Sequence, residues 1–80
     1  MRFRFNDGKV IEAQDALDFV IRMNNTSFAH RENHREFMRD CVSRGKQLGL
    51  DLRASDEQEF LTSLIENGVV KPVFPHEGEN

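Results

Sequence analysis

The sequence predicts an α+β fold: an N-terminal β-hairpin plus one or two short strands packed against three α-helices, as a two-layer single domain. Three observations carry this expectation. The chain opens with apolar and charged side chains alternating about Asn6-Asp7-Gly8, the pattern of a half-buried hairpin. Three later segments space their apolar residues at helical intervals. "LGLDLRA" and "VVKPVF" are short runs of extended character. Eighty residues with 38 % apolar content supply one core. Residues 1–74 are therefore expected to form the domain, and the polar "PHEGEN" of residues 75–80 a loose tail.

In the hairpin, a turn over Asp7-Gly8 alone would set Phe3 against the Glu12 carboxylate. A loop over Asn6, Asp7 and a left-handed Gly8 instead pairs Phe3 with Ile11 and Arg2 with Glu12. This second register is expected, because it gathers Met1, Phe3, Phe5, Ile11 and Ala13 on one face.

Residues 14–24 read as a helix with a broad apolar arc of Ala16, Leu17, Phe19, Val20 and Met23. Asn24 and Asn25 suit a left-handed exit, Thr26 and Ser27 offer caps, and Phe28 is expected to fold the connection onto the core. Asn33 followed by Glu36 resembles a capping box, so the second helix is expected from His34 to about Gln47, stopped by Gly49. Leu48, Leu50, Leu52 and Ala54 then alternate as a short strand. Ser55 with Gln58 forms a further capping box. Asp56, Glu57 and Glu59 suit the positive end of the helix dipole, and Phe60, Leu61, Leu64 and Ile65 form the buried stripe up to Asn67-Gly68. Pro72 lacks an N–H and assigns the last run to a sheet edge or strand end. Strand, helix, strand over residues 48–74 permits a parallel crossover. The predicted core is Phe3, Phe5, Ile11, Leu17, Val20, Met23, Phe37, Cys41, Leu52, Phe60, Leu64 and Val70.

Chemistry is densest in "HRENHREFMRDC", residues 30–41. On a wheel of ~100° per residue, His34, Phe37, Met38, Cys41, Val42, Gly45 and Leu48 share one arc. Arg31, Arg35, Arg39 and Lys46 form one outer ridge, and Glu32, Glu36 and Asp40 the next. His30, His34 and Cys41 would suit metal ligation only on an unbroken helix, which a cap at Asn33 interrupts; His76 is the one remaining histidine. No metal or other cofactor is expected. Arg31, Arg35, Arg39, Arg44 and Lys46 offer a nucleic-acid-binding alternative along a phosphate backbone. Against it, three carboxylates in the same segment are positioned to pair as Glu32–Arg35, Glu36–Arg39 and Asp40–Arg44, and the chain carries a net charge of -3.

Catalysis is not expected. Cys41 lies mid-helix on an apolar face, where burial suppresses the thiolate, and no serine sits in a glycine-framed elbow. "FLTSLIENGVVKP" resembles in cadence the last helix and strand of winged-helix DNA-binding domains, but the segment before it reads as a strand rather than a compact helix-turn-helix.

The expected function is that of a small non-catalytic protein-binding or regulatory module. Residues 47–70 hold five acids and one base. Glu57, Glu59, Glu66 and Phe74 are the sequence's candidates for the partner-facing surface, with an unidentified protein or a second copy of the chain as partner. A homodimer fits a chain this short, which gains from burying more apolar area. One cysteine, no apolar signal core and no long apolar window imply a cytoplasmic protein with no membrane span.

Overall fold

The computed structural model describes residues 1–27 and 30–74. Phe28, His76 and the expected tail lie outside the described residues. The elements are β1 (Arg2–Phe5), β2 (Val10–Glu12), α1 (Ala16–Asn25), α2 (His34–Gln47), α3 (Glu57–Glu66) and β3 (Val70–Val73). One antiparallel sheet, ordered β2-β1-β3, carries the three helices on one face, the α+β architecture expected.

The hairpin adopts the three-residue loop and its register, with Arg2 opposite Glu12 and Phe3 opposite Ile11. Phe5 N–H donates to Lys9 O at 2.8 Å and Gly8 N–H to Phe5 O at 3.0 Å. Gly8 has φ +94°, where an L side chain would be strained. The inner face buries Phe3, Ile11 and Ala13 and half-buries Phe5. Met1 departs from expectation: it hangs past the end of the core and is 67 % exposed.

α1 begins at Asp15, whose carboxylate accepts from Asp18 N–H at 2.8 Å, while Asp18 accepts from Gln14 N–H at 2.9 Å. It ends without the left-handed asparagine: Thr26 caps it, Oγ1 donating to Arg22 O at 3.1 Å. The ring of Phe19 meets Phe3 edge-on at 4.9 Å and stacks on Phe5 at 6.0 Å, locking helix to hairpin. Leu17, expected in the core, is 45 % exposed. The apolar arc of α1 is wider than the surface its neighbours cover.

α2 spans the expected residues. Its cap is made by Asn33 accepting from Arg35 N–H at 2.8 Å, rather than by a reciprocal box with Glu36. Leu50 N–H returns to Gly45 O at 2.8 Å and Gly49 N–H to Lys46 O at 3.1 Å, so Gly49 closes the helix in a Schellman turn. Leu48 is the C-cap and is 76 % exposed, not part of the inner arc.

The expected strand over residues 48–54 does not form. Its backbone bonds to side chains of α3 instead of to a neighbouring strand. Asp51 N–H donates to Asn67 Oδ1 at 3.1 Å, Asn67 Nδ2 donates to Asp51 O at 3.0 Å, and Arg53 N–H donates to Ser63 Oγ at 3.1 Å. Side chains of one helix can satisfy a short extended segment as completely as a ladder does, and period-two apolar spacing cannot distinguish the two. The parallel crossover disappears with this strand, and β3 instead pairs antiparallel with β1.

α3 starts one residue later than expected, with Asp56 rather than Ser55 as cap, accepting from Glu59 N–H at 2.7 Å. Phe60, Leu61 and Leu64 are buried as expected, whereas Ile65 is 37 % exposed. Ser63 is fully buried in the stripe, its hydroxyl donating to Phe60 O at 2.8 Å while accepting from Arg53. Of the predicted core, Phe3, Ile11, Val20, Phe37, Cys41, Leu52, Phe60, Leu64 and Val70 are buried, joined by Ala16, Phe19, Met38 and Leu61.

Candidate functional site

The acidic residues expected to face a partner are occupied within the chain. Glu57 Oε2 lies 2.8 Å from His34 Nε2 and 3.9 Å from Arg35 Nε, tying the first turn of α3 to that of α2. The hydrogen bond from His34 holds the Glu57 carboxyl below its ordinary range. Glu59 and Glu66 straddle Arg53, at 2.9 Å from Nε and 2.7 Å from Nη2. Phe74, just past β3, is 50 % exposed.

The arginines of α2 are divided in the same way. Arg31 pairs with Asp40 at 2.6 Å, and Arg35 leans on Glu57. Arg44 Nη2 donates to Cys41 Sγ at 3.5 Å. Arg39 and Lys46 have no ion pair among the described residues. The expected helical pairs Glu32–Arg35, Glu36–Arg39 and Asp40–Arg44 do not form. Arg31, which precedes the helix, takes Asp40, and α3 brings Glu57 to Arg35. His34 is half-buried on Glu57 rather than in the core. Burial raises the pKa of the Cys41 thiol, an effect partly offset by Arg44. Among the described residues, no three His, Cys, Asp or Glu side chains converge to hold a metal ion, and no helix is long and apolar enough to cross a membrane.

The surface with unsatisfied bonding capacity lies elsewhere, along β2. In an antiparallel ladder, alternate residues direct both backbone groups at the same neighbour. The Met1–Ala13 exchange, 2.8 Å in each direction, and the Phe5–Lys9 bond fix the phase: Ile11 and Ala13 face β1. The N–H and C=O groups of Val10 and Glu12 therefore point away from the sheet. None of the hydrogen bonds among the described residues engages them.

The opposite edge is built differently. Asn6 N–H donates to Val69 O at 3.2 Å, and Arg2 and Arg4 pair with Val73 and Lys71. This phase turns the backbone of Val70 and Pro72 outward, and Pro72 has no N–H to offer. Proline thus interrupts one edge of the sheet while the other keeps its donors.

Beside the open edge runs a groove against α1. One hollow of about 330 Å³ is lined by Val10, Ile11, Glu12, Arg22, Asn25 and Thr26. A second of about 340 Å³ shares Glu12 and Arg22 with it and continues past Ala13 and Asp18 towards Met1. Arg22 is held by Asp18 at 3.0 Å, so a fixed ion pair lines the helix side of the groove. Val10 stands 47 % exposed at its lip. No local sequence pattern singles out Val10, Glu12 and Arg22 as site residues. Pro72 marked one edge, but locating the other required knowing that β3 docks on β1.

No protein-family model, curated protein or solved structure matches this chain.

Proposed function

We propose that this protein is a non-catalytic protein-binding module of the cytoplasm that accepts an extended segment of its partner along the free edge of β2. The observation that carries this reading is the pair of outward-facing residues, Val10 and Glu12, with free backbone donors and acceptors beside a preformed groove. Strand addition uses such an edge directly: main-chain bonds supply affinity and flanking hollows select side chains. The interruption of the other edge by Pro72 supports the reading, because it leaves β2 as the edge with uninterrupted donors for sheet extension. The donor strand belongs to another protein or to β2 of a second copy, which would make a two-fold symmetric dimer with a continuous sheet.

The test is Glu12→Pro. It removes an outward N–H, as Pro72 does on β3, and spares the bonds to β1. Partners recovered from the native host by affinity capture should be lost in this variant, whereas Glu12→Gln, which keeps the N–H, should retain them. Light scattering across a concentration series identifies self-association. Retention of the same partners by a folded Glu12→Pro protein would overturn the proposal.

A further inference from the structure

The helices cover only one face of the sheet, and the other face carries the side chains that alternate away from the core. These are Arg2 and Arg4 on β1, Lys71 on β3, Val10 and Glu12 on β2, and Val73. The register sets them in two rows, Val10–Arg4–Lys71 and Glu12–Arg2–Val73. Three cations therefore occupy the middle of the face and one flank, with Glu12 as the one carboxylate there among the described residues.

Elsewhere on the surface the cations divide: Lys9, Arg39, Arg44 and Lys46 have no ion pair among the described residues, whereas four arginines do. Arg22, Arg31, Arg35 and Arg53 each meet a carboxylate at 4.0 Å or less. Arg2, Arg4 and Lys71 have no ion pair among the described residues, and all three are exposed. Arg4 and Lys71 stand directly opposite on neighbouring strands, with Cα atoms ~5.5 Å apart in a hydrogen-bonded pair, an arrangement of like charges that costs stability. In a chain with a net charge of -3, this face is a local positive island.

We infer that the outer sheet face docks an acidic polypeptide segment, whose carboxylates neutralise Arg2, Arg4 and Lys71 and relieve the repulsion between Arg4 and Lys71. A protein carboxylate partner fits better than nucleic acid for two reasons. Phe3 and Phe5 turn inward, so the face offers no aromatic platform for bases. The island spans only three cations, too few for the many phosphate contacts on which nucleic-acid affinity rests. This inference does not depend on strand addition at β2, since it uses side chains of the face rather than the backbone of the edge.

The probe is a fluorescein-labelled oligoglutamate peptide, read by anisotropy against full-length protein, with single-stranded oligothymidine as the competing class. Oligoglutamate should bind at low salt and weaken at least ~10-fold between about 50 and about 300 mM NaCl. The triple variant Arg2→Ser, Arg4→Ser, Lys71→Ser should abolish this binding, and Arg35→Ser with Arg39→Ser on α2 should leave it unchanged. Glu12→Gln should tighten it by removing a carboxylate from the face. Amide shifts of the wild-type protein on peptide addition should centre on Arg2, Arg4 and Lys71, which keeps the test decisive even if the triple variant folds poorly. The inference is overturned by absent oligoglutamate binding at low salt, by shifts centred on α2, or by oligothymidine binding as tightly as the peptide. Loss of partner capture in Glu12→Pro with oligoglutamate binding intact would separate the edge from the face.

Discussion

Replacing Asn67 with alanine tests the idea that helix side chains take the place of a strand over residues 48–54. Asn67 accepts from Asp51 N–H at 3.1 Å, donates to Asp51 O at 3.0 Å and donates to Ser63 O at 2.8 Å. Each such bond contributes ~1 kcal/mol net, and partial solvent access to the Asp51 bonds lowers the sum of three to ~2 kcal/mol. Asn67 has φ -88°, so alanine adds no backbone strain. At ~1 kcal/mol per molar urea for a domain of this size, the unfolding midpoint should fall by ~2 M. The melting temperature should fall by roughly 8–16 °C. Hydrogen exchange adds a local readout: the Asp51 amide should lose protection, while the Arg53 amide, held by Ser63, should keep more of its own. A loss below ~0.5 kcal/mol, with Asp51 protection unchanged, would refute the reasoning and leave the burial of Leu52 and the bonds of Arg53 to anchor the segment.

Two further outcomes follow from particular contacts. A Cβ at Gly45 would stand 2.9 Å from Leu52 Cδ1 and 3.2 Å from its Cγ. The gain of up to ~1 kcal/mol in helix propensity for Gly45→Ala should be outweighed by ~1–3 kcal/mol of overpacking, for a net loss measured by urea unfolding. Glu57 is held below its ordinary value of 4.5 by the His34 hydrogen bond. A depressed carboxyl pKa stabilises the fold above the unfolded-state value, and this contribution disappears as pH falls through the folded value. Wild-type stability should therefore drop on acidification below about pH 4.5 more steeply than that of Glu57→Gln, as followed by thermal melts across pH 3 to 7.

Local patterns in the chain were sufficient for most of the elements. The hairpin register followed from keeping Glu12 off Phe3, and the extent of α2 followed from Asn33 and Gly49, because cap and turn chemistry act within a few residues. Alternation at Leu48, Leu50 and Leu52 misled, since it reports burial on one side and says nothing about what satisfies the backbone. The acids of α3 read as a free surface because their partners, Arg53 and His34, come from other elements.

What the sequence determined by itself is the hairpin, the three helices, the last strand and most of their buried residues, which depend on residues a few positions apart. Tertiary structure alone decided that β3 pairs with β1, which makes β2 the open edge and sets Arg4 against Lys71. It also decided which charges pair within the chain and which do not. Both outcomes arise from contacts between residues distant in the chain, and only the folded arrangement brings such residues together.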